Sequence, residues 1–121
     1  MTTTSSNNER RKQARFEKFG TDTPACAICG EHDWRCLELH HVAGQKHDET
    51  VVILCANHHR IVTDDQKDHP SSEPAADPLF DRIGHFLLGL ADMLKRIVDT
   101  LYEFGHELIK RAAPPPVGDV P

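Results

Sequence analysis

The sequence predicts an α+β fold in which a small compact segment is followed by one long amphipathic helix. Two observations support this prediction. Two pairs of thiol and imidazole side chains, Cys26-x2-Cys29 and Cys55-x2-His58, enclose two short apolar runs. Toward the C-terminus, apolar residues recur at spacings of three and four, the period of a helix with one apolar face. Charged residues interrupt every apolar stretch before it could span a bilayer, so we expect no membrane partner.

The first domain is predicted to cover residues 9–69. Residues 1–8 are rich in Thr, Ser and Asn, and we expect them to form a disordered tail. A short helix is predicted from Glu9 to Phe19, where Gly20 and a turn end it. The first residues contain no apolar segment of the kind that directs secretion, which favours a cytoplasmic location and reduced cysteines.

Two apolar runs follow the first Cys pair. Residues 36–39 predict a strand that leads into a turn at Gly44, and residues 51–54 form the second run. Cys36 does not fit the paired spacing, and we expect it to be a small buried apolar side chain.

The C-terminal part is predicted to be a linker, a helix and a tail. Residues 70–78 contain three prolines, which block both helix and sheet, and 112–121 form a proline-rich disordered tail. The helix at 79–111 carries a seam of period 3.5, typical of coiled coils. The seam residues are Phe80, Ile83, Leu87, Leu90, Leu94, Ile97, Leu101, Phe104 and Leu108. Polar residues recur opposite the seam at His85, Asp92, Asp99 and His106.

The length of this helix predicts self-association. About 33 residues of helix extend roughly 50 Å, and the small first domain cannot cover such a helix. We therefore expect a homo-oligomer through the C-terminal helix, most simply a dimer.

The paired cysteines predict a metal site. A segment of about 50 residues rarely folds on apolar burial alone and needs a cross-link. Tetrahedral zinc takes four thiolate or imidazole ligands, which the two pairs supply. If the segment after Leu54 is helical, Cys55 and His58 lie near one face, but Cys55 and His59 also satisfy helical spacing. Sequence geometry leaves open which histidine binds zinc.

An adjacent histidine pair, His40-His41, ends the first apolar run. Neighbouring side chains on a strand point in opposite directions, so the two imidazoles should have different roles. One can bind a metal while the other transfers a proton.

Together these motifs resemble a known family. The pattern Cys26-x2-Cys29, Leu39-His40-His41 and Leu54-Cys55-x2-His58-His59 resembles the zinc-containing HNH endonucleases, whose core is the ββα-metal (His-Me) finger. The resemblance covers about a third of the chain, from Cys26 to Lys67, and does not include the terminal helix.

The resemblance implies a role for each residue. Structural zinc would be held by Cys26, Cys29, Cys55 and His58. A catalytic divalent cation, such as Mg²⁺, Mn²⁺ or Ni²⁺, would bind His40 and His59. His41 would be the general base. Independently of the resemblance, Arg60 is a candidate phosphate contact because it follows His59 on the predicted helix.

The sequence departs from the family pattern at two positions. Thr50 stands where the family has an asparagine that orients the loop carrying the base, and we expect its hydroxyl to hydrogen-bond to backbone instead. Thr63 stands where the family often has a further histidine, which puts a phosphate contact in doubt.

The leading functional hypothesis is a metal-dependent endonuclease that hydrolyses DNA, with RNA not excluded as substrate. The net charge of −5 argues mildly against a nucleic-acid partner, but local clusters and bound metal decide such binding. The alternative is a zinc-stapled nucleic-acid-binding or interaction module without cleavage activity.

Overall fold

The computed structural model of the protein describes residues 4–116, and its architecture is α+β, as the sequence predicts. A two-stranded sheet and a short helix lie between an N-terminal helix and a long C-terminal helix. In chain order the elements are α1 (Thr4–Phe19), a 3₁₀ turn (Trp34–Cys36), β1 (Leu37–His41), β2 (Val51–Cys55), α2 (Ala56–Gln66) and α3 (Pro78–Ala112).

The two strands form an antiparallel hairpin that carries much of the site. Leu37 pairs with Cys55 and His41 pairs with Val51. The connecting loop turns at Gly44, which has φ 92°, a conformation that favours glycine. The chain enters α2 directly from β2, so this part of the molecule has the order ββα.

The core lies between the hairpin, α2 and the middle of α3. Its largest fully buried side chains are Leu37, Val42, Leu54 and Val62. Met93 of α3 joins this cluster, as do two of the paired cysteines, Cys26 and Cys55. The candidate metal ligands are therefore continuous with the apolar core.

The N-terminal helix is longer than the sequence predicts, since α1 begins at Thr4 rather than at Glu9. Extending a formed helix adds one hydrogen bond per residue, so polar residues can continue it at small cost. Residues 1–3 of the predicted tail lie outside the described part of the chain. The Arg15 guanidinium donates a hydrogen bond to the carbonyl of Leu37, which joins α1 to the start of β1.

The prediction that Cys36 is buried is wrong, because its side chain is exposed. Cys36 ends the 3₁₀ turn that Asp33 caps by accepting a hydrogen bond from the backbone N–H of Arg35. The strand consequently begins one residue later, and Leu37 is the first side chain to enter the core.

The long helix starts and ends close to its predicted bounds. Asp77 caps it by accepting hydrogen bonds from the N–H groups of Leu79 and Phe80, and Pro78 occupies the first turn. Residues 113–116 follow the helix without regular structure, and residues 117–121 of the predicted tail lie outside the described part. No helix between residues 4 and 116 is apolar enough over sufficient length to cross a membrane.

The face of α3 that packs against the core overlaps the predicted apolar seam only at Leu90 and Ile97. Its buried residues are His85, Gly89 and Met93. Gly89 lies so close to the Val42 carbonyl oxygen that a Cβ atom there would be 1.6 Å from it. Most of the seam stays exposed, namely Phe80, Ile83, Leu87, Leu94, Leu101, Phe104 and Leu108.

Two of the four residues predicted for the polar face make contacts with the chain that precedes α3. His85 is buried, and Asp92, which is partly exposed, accepts a hydrogen bond from His69 of the preceding loop at 2.6 Å. Asp99 and His106, farther along the helix, are exposed. Only the first part of the polar line therefore finds hydrogen-bond partners outside α3, which helix periodicity cannot reveal.

Candidate functional site

The two Cys-containing pairs meet in one cluster of three sulfurs and one imidazole nitrogen. Cys26 and Cys29 lie in a turn that ends at Gly30, which has φ 79° and donates its N–H to the Cys26 carbonyl at 2.9 Å. Cys55 ends β2 and caps α2, and its sulfur accepts the N–H of His58 at 3.4 Å. The four donor atoms all lie within 4.8 Å of one another.

The spacing of the cluster suits a tetrahedral metal. The Cys29 and Cys55 sulfurs are 3.9 Å apart, and His58 Nδ1 lies 3.3 Å from the Cys55 sulfur and 3.8 Å from that of Cys26. Zinc–sulfur bonds of about 2.3 Å in a tetrahedron separate two sulfurs by roughly 3.8 Å. All four cysteines of the chain are free thiols. The cluster can therefore hold a metal such as zinc.

The thiols of Cys26 and Cys29 have opposite pKa shifts. Burial raises the pKa of the Cys29 thiol to about 11, and the neighbouring Cys26 sulfur opposes a second negative charge beside it. Burial also opposes ionisation of Cys26, but N–H groups of Cys55, Cys29 and Ile28 lower the pKa of its thiol overall. A bound cation would remove the repulsion between these sulfurs, because metal ligation favours thiolates.

Of the two histidines between which the sequence cannot choose, His58 belongs to the cluster. His59 lies outside the cluster, beside Glu38 and His40. His59 Nδ1 lies 2.7 Å from the Glu38 carboxylate, and its ring meets that of His40 edge to face at 5.3 Å between centroids. Adjacent residues on a helix diverge by about 100°, which separates the two rings.

His40 is almost completely buried, with 2% of its surface exposed. Burial, followed by the nearby His59 and His41, lowers the pKa of its imidazole to about 4. The ring is therefore neutral at physiological pH, the form in which histidine binds metals. The part of the chain that the structure describes contains two donor groups compact enough for an ion, and neither includes His40 or His59.

Two residues of this site carry no motif that would single them out in the sequence. Gln66, in the last turn of α2, donates its amide N–H groups to the carbonyls of His41 and Val42 at 3.0 and 3.1 Å. The same amide nitrogen lies 3.3 Å from His40 Nε2. Glu38 is the second such residue, and only its alternation with His40 along β1 could have suggested it.

Arg60 and Thr63 line an open cleft together with His59, whereas His41 does not line it. The cleft, of about 360 Å³, is lined by Glu38, Ala56, His59, Arg60, Thr63, Asp64 and Lys67. Arg60 and Lys67 give it two cationic side chains, and Thr63 leaves it without a second imidazole. His41, the predicted base, is half-buried at the end of β1.

Thr50 does not make the predicted side-chain bond to backbone. Its hydroxyl donates to the Asp48 carboxylate at 3.0 Å, while its backbone carbonyl accepts the N–H of Val42 at 3.1 Å. The threonine side chain is short, and the Asp48 carboxylate is near enough to accept its hydrogen bond in place of a backbone carbonyl. The side-chain hydrogen bonds to the backbone at His41 and Val42, which the sequence predicts from Thr50, come instead from Gln66 of α2.

A second compact group of donor atoms consists of His47, Asp81 and His85. We call it the His85 clamp, because hydrogen bonds hold the His85 ring on both sides. Both ring nitrogens of His85 face carbonyl oxygens, those of Asp81 and Pro70, each at 2.9 Å. These two bonds, that to Pro70 first, raise the pKa of the His85 imidazole. The His47 ring stacks on His85 at 3.7 Å with nearly parallel planes, so the ring lone pairs do not converge on one point.

Comparison of the chain with protein-family models, with curated proteins and with solved structures finds no match.

Proposed function

We propose that this protein is a metal-dependent endonuclease that hydrolyses phosphodiester bonds in DNA. The observation that supports the proposal is the contact between His40 of β1 and His59 of α2, beside a separate Cys3His cluster. Of two neighbouring histidines on α2, His58 thus belongs to the Cys3His cluster and His59 contacts His40. A purely structural metal site does not require the second contact.

The donor set of the second place fits a divalent cation. His40 and His59 supply two nitrogen donors, and the burial of His40 keeps its ring neutral. Imidazole ligation favours Mn²⁺ or Ni²⁺ in affinity, while Mg²⁺ would rely more on water and phosphate oxygens. Zinc would occupy the Cys3His cluster and hold β2, α2 and the first Cys pair together.

Different residues near the cation site would carry out different parts of the hydrolysis. His40 and His59 would hold the cation, which would supply positive charge to a phosphate oxygen and to the departing 3′ oxygen. His41, half-buried and open to water, removes a proton from the attacking water. Arg60 on the wall of the cleft pairs with a phosphate of the substrate.

A plasmid-nicking assay across Mg²⁺, Mn²⁺, Ni²⁺ and chelator tests the proposal. We expect cleavage by the zinc-loaded protein that chelator abolishes, and a loss of about 10²-fold or more in His41→Ala and His59→Ala. The control is His32→Ala, which replaces an exposed histidine outside the site and should cut plasmid as fast as the parent protein does. A His41→Ala protein that cuts as fast as the parent would remove the base assignment.

One observation favours a second function, a zinc-stapled module that binds nucleic acid without cutting it. The compact donor groups among residues 4–116 do not include His40 or His59, so a catalytic cation would depend on only two protein ligands. This function predicts that plasmid is retarded in a gel but not cleaved with any of the three metals.

The exposed seam of α3 supports a homodimer as the working form. From Leu101 to Pro116 every residue is exposed, so no part of the chain between residues 4 and 116 covers the end of the helix. One site cleaves one strand, and two linked sites would make paired nicks.

A further inference from the structure

We propose that Glu38 is a positioning residue, which holds the proton of His59 on Nδ1 and so presents the lone pair of His59 Nε2 to the divalent cation. The inference rests on the proposed endonuclease function and extends it to a residue outside the predicted ligand set. Its structural basis is the 2.7 Å contact between His59 Nδ1 and a Glu38 carboxylate oxygen.

The fold brings these side chains together for a simple reason. Glu38 and His40 alternate along β1, so both point to the same side of the hairpin. Glu38 pairs with Leu54 across the sheet, and the chain enters α2 immediately afterward. The first turn of α2 consequently lies beside that face, with His59 within reach of both β1 side chains.

The chemistry of the contact sets the tautomer of His59. A neutral imidazole has one N–H and one lone pair, and a carboxylate accepts hydrogen bonds but donates none. A proton on Nδ1 is stabilised by Glu38, which leaves Nε2 as the acceptor. Without the carboxylate, the proton is free to occupy Nε2 and block the lone pair that a metal needs. The negative charge also increases the basicity of the ligand.

Two other roles of Glu38 fit the observations less well. As a direct metal ligand, Glu38 would belong to a compact group with His40 and His59, but the compact groups of the described residues exclude it. As an exposed ion pair with a charged His59, it would contribute little, because about half of the Glu38 side chain is open to water. Neither role requires a fixed tautomer.

Three variants of the full-length, zinc-loaded chain separate these roles. Glu38→Ala removes the acceptor, Glu38→Gln keeps an acceptor without the charge, and Asp64→Ala is the matched control. Asp64 lines the same cleft and pairs with Lys67 at 3.4 Å, away from the Glu38–His59 contact. Zinc content and thermal unfolding of each variant establish that the fold is kept.

The measurements are Mn²⁺ affinity by calorimetry and the ¹⁵N shifts of the His59 ring without Mn²⁺. We expect Glu38→Ala to bind Mn²⁺ about 10–100-fold more weakly than the parent, with Glu38→Gln between them and Asp64→Ala close to the parent. The parent should show the His59 proton on Nδ1, and Glu38→Ala should lose this preference.

The inference is overturned if Glu38→Ala binds Mn²⁺ as tightly as Asp64→Ala, or if His59 of the parent carries its proton on Nε2. Parallel plasmid assays keep this result distinct from that of the proposed function. A parent that binds Mn²⁺ through a Glu38-dependent His59 but cuts no DNA refutes the endonuclease and retains the role of Glu38. A parent that cuts DNA with Glu38 unimportant for Mn²⁺ does the reverse.

Discussion

The thiols of Cys26 and Cys36 have opposite environments although they lie only ten residues apart. Cys26 is buried in the Cys3His cluster, whereas Cys36 is exposed at the end of a 3₁₀ turn. We expect Cys26→Ser to reduce bound zinc from about one ion per chain to nearly none and to unfold the first domain, because metal binding drives the folding of such small units. Metal analysis and circular dichroism measure both effects.

Cys36→Ser is the control for this substitution, since it removes a thiol of the same chain without touching the cluster. It should retain zinc and unfold at the parent temperature. Equal zinc content in the Cys26→Ser and parent proteins would contradict the ligand assignment.

At the residue scale, spacing in the sequence predicts which cysteines come together but not the groups that orient the histidines. Two x2 spacings predict that Cys26, Cys29 and Cys55 meet, because each pair needs only a local turn, but helical spacing allows His58 or His59 as the fourth member, and the structure places His58 there. Glu38 and Gln66 reach the histidines from a neighbouring strand face and from the far end of α2. Their positions depend on how the helix packs on the hairpin, which no local pattern encodes.

Among the elements, α3 depends on a single glycine for its contact with the hairpin. A Cβ atom at Gly89 would be 1.6 Å from the Val42 carbonyl oxygen, so Gly89→Ala must push the helix away. We expect a loss of about 1–3 kcal/mol in the free energy of unfolding, the usual cost of overpacking. Denaturant unfolding with zinc present measures it.

Gly84→Ala is the matched control, because nothing lies within 4 Å of a Cβ atom at this exposed position. It should stabilise the protein by up to about 1 kcal/mol through helix propensity alone. If both alanine variants stabilise the protein equally, α3 does not pack on Val42 as described.

The His85 clamp gives the docking of α3 a pH dependence. Hydrogen bonds to the carbonyls of Pro70 and Asp81 raise the pKa of His85, and the Asp81 carboxylate at 3.5 Å favours the same charged form. The His47 ring stacks on the His85 ring, and burial lowers the pKa of His47. A lowered pKa favours the neutral form of His47, which does not repel a positive charge on His85.

A raised folded-state pKa stabilises the protein fully below the unfolded value of about 6.5, and this stability is lost as pH rises through the folded value. We therefore expect the stability difference between the parent and His85→Gln to shrink from pH 6 toward pH 9. Thermal unfolding across this range checks the sign, and a difference that grows with pH would contradict the clamp.

At the scale of elements, the sequence predicts the presence and type of helices and strands better than their contacts. The two short runs and the 3.5-residue seam correctly predict a mixed fold with a long terminal helix, because periodicity follows from local geometry. Which side of α3 meets the hairpin depends on Gly89, His85 and Met93, a small, a polar and a flexible residue. An apolar pattern gives these residues little weight.

At the scale of the whole molecule, the described residues leave an extended row of large apolar side chains in water. Seam residues of α3 are exposed from Phe80 to Leu108, except Leu90 and Ile97, and the row continues beyond the part of the helix that packs on the core. We expect light scattering to give a mass near twice 13.6 kDa.

Leu101→Lys, which places a charge in the exposed seam, should shift the protein toward monomer. Glu103→Lys places a lysine on the other side of the helix, with a larger change in charge, and should leave the mass unchanged. A monomeric mass for the parent protein would contradict self-association through α3.

The carbonyl of Val42 is where the long helix and the loop after the proposed base touch. Gln66 holds this carbonyl from α2, and Gly89 of α3 closes over it. A displacement of α3 would therefore also displace the peptide next to His41. If the proposed function is correct, a partner that binds the exposed end of α3 would change the position of the proposed base.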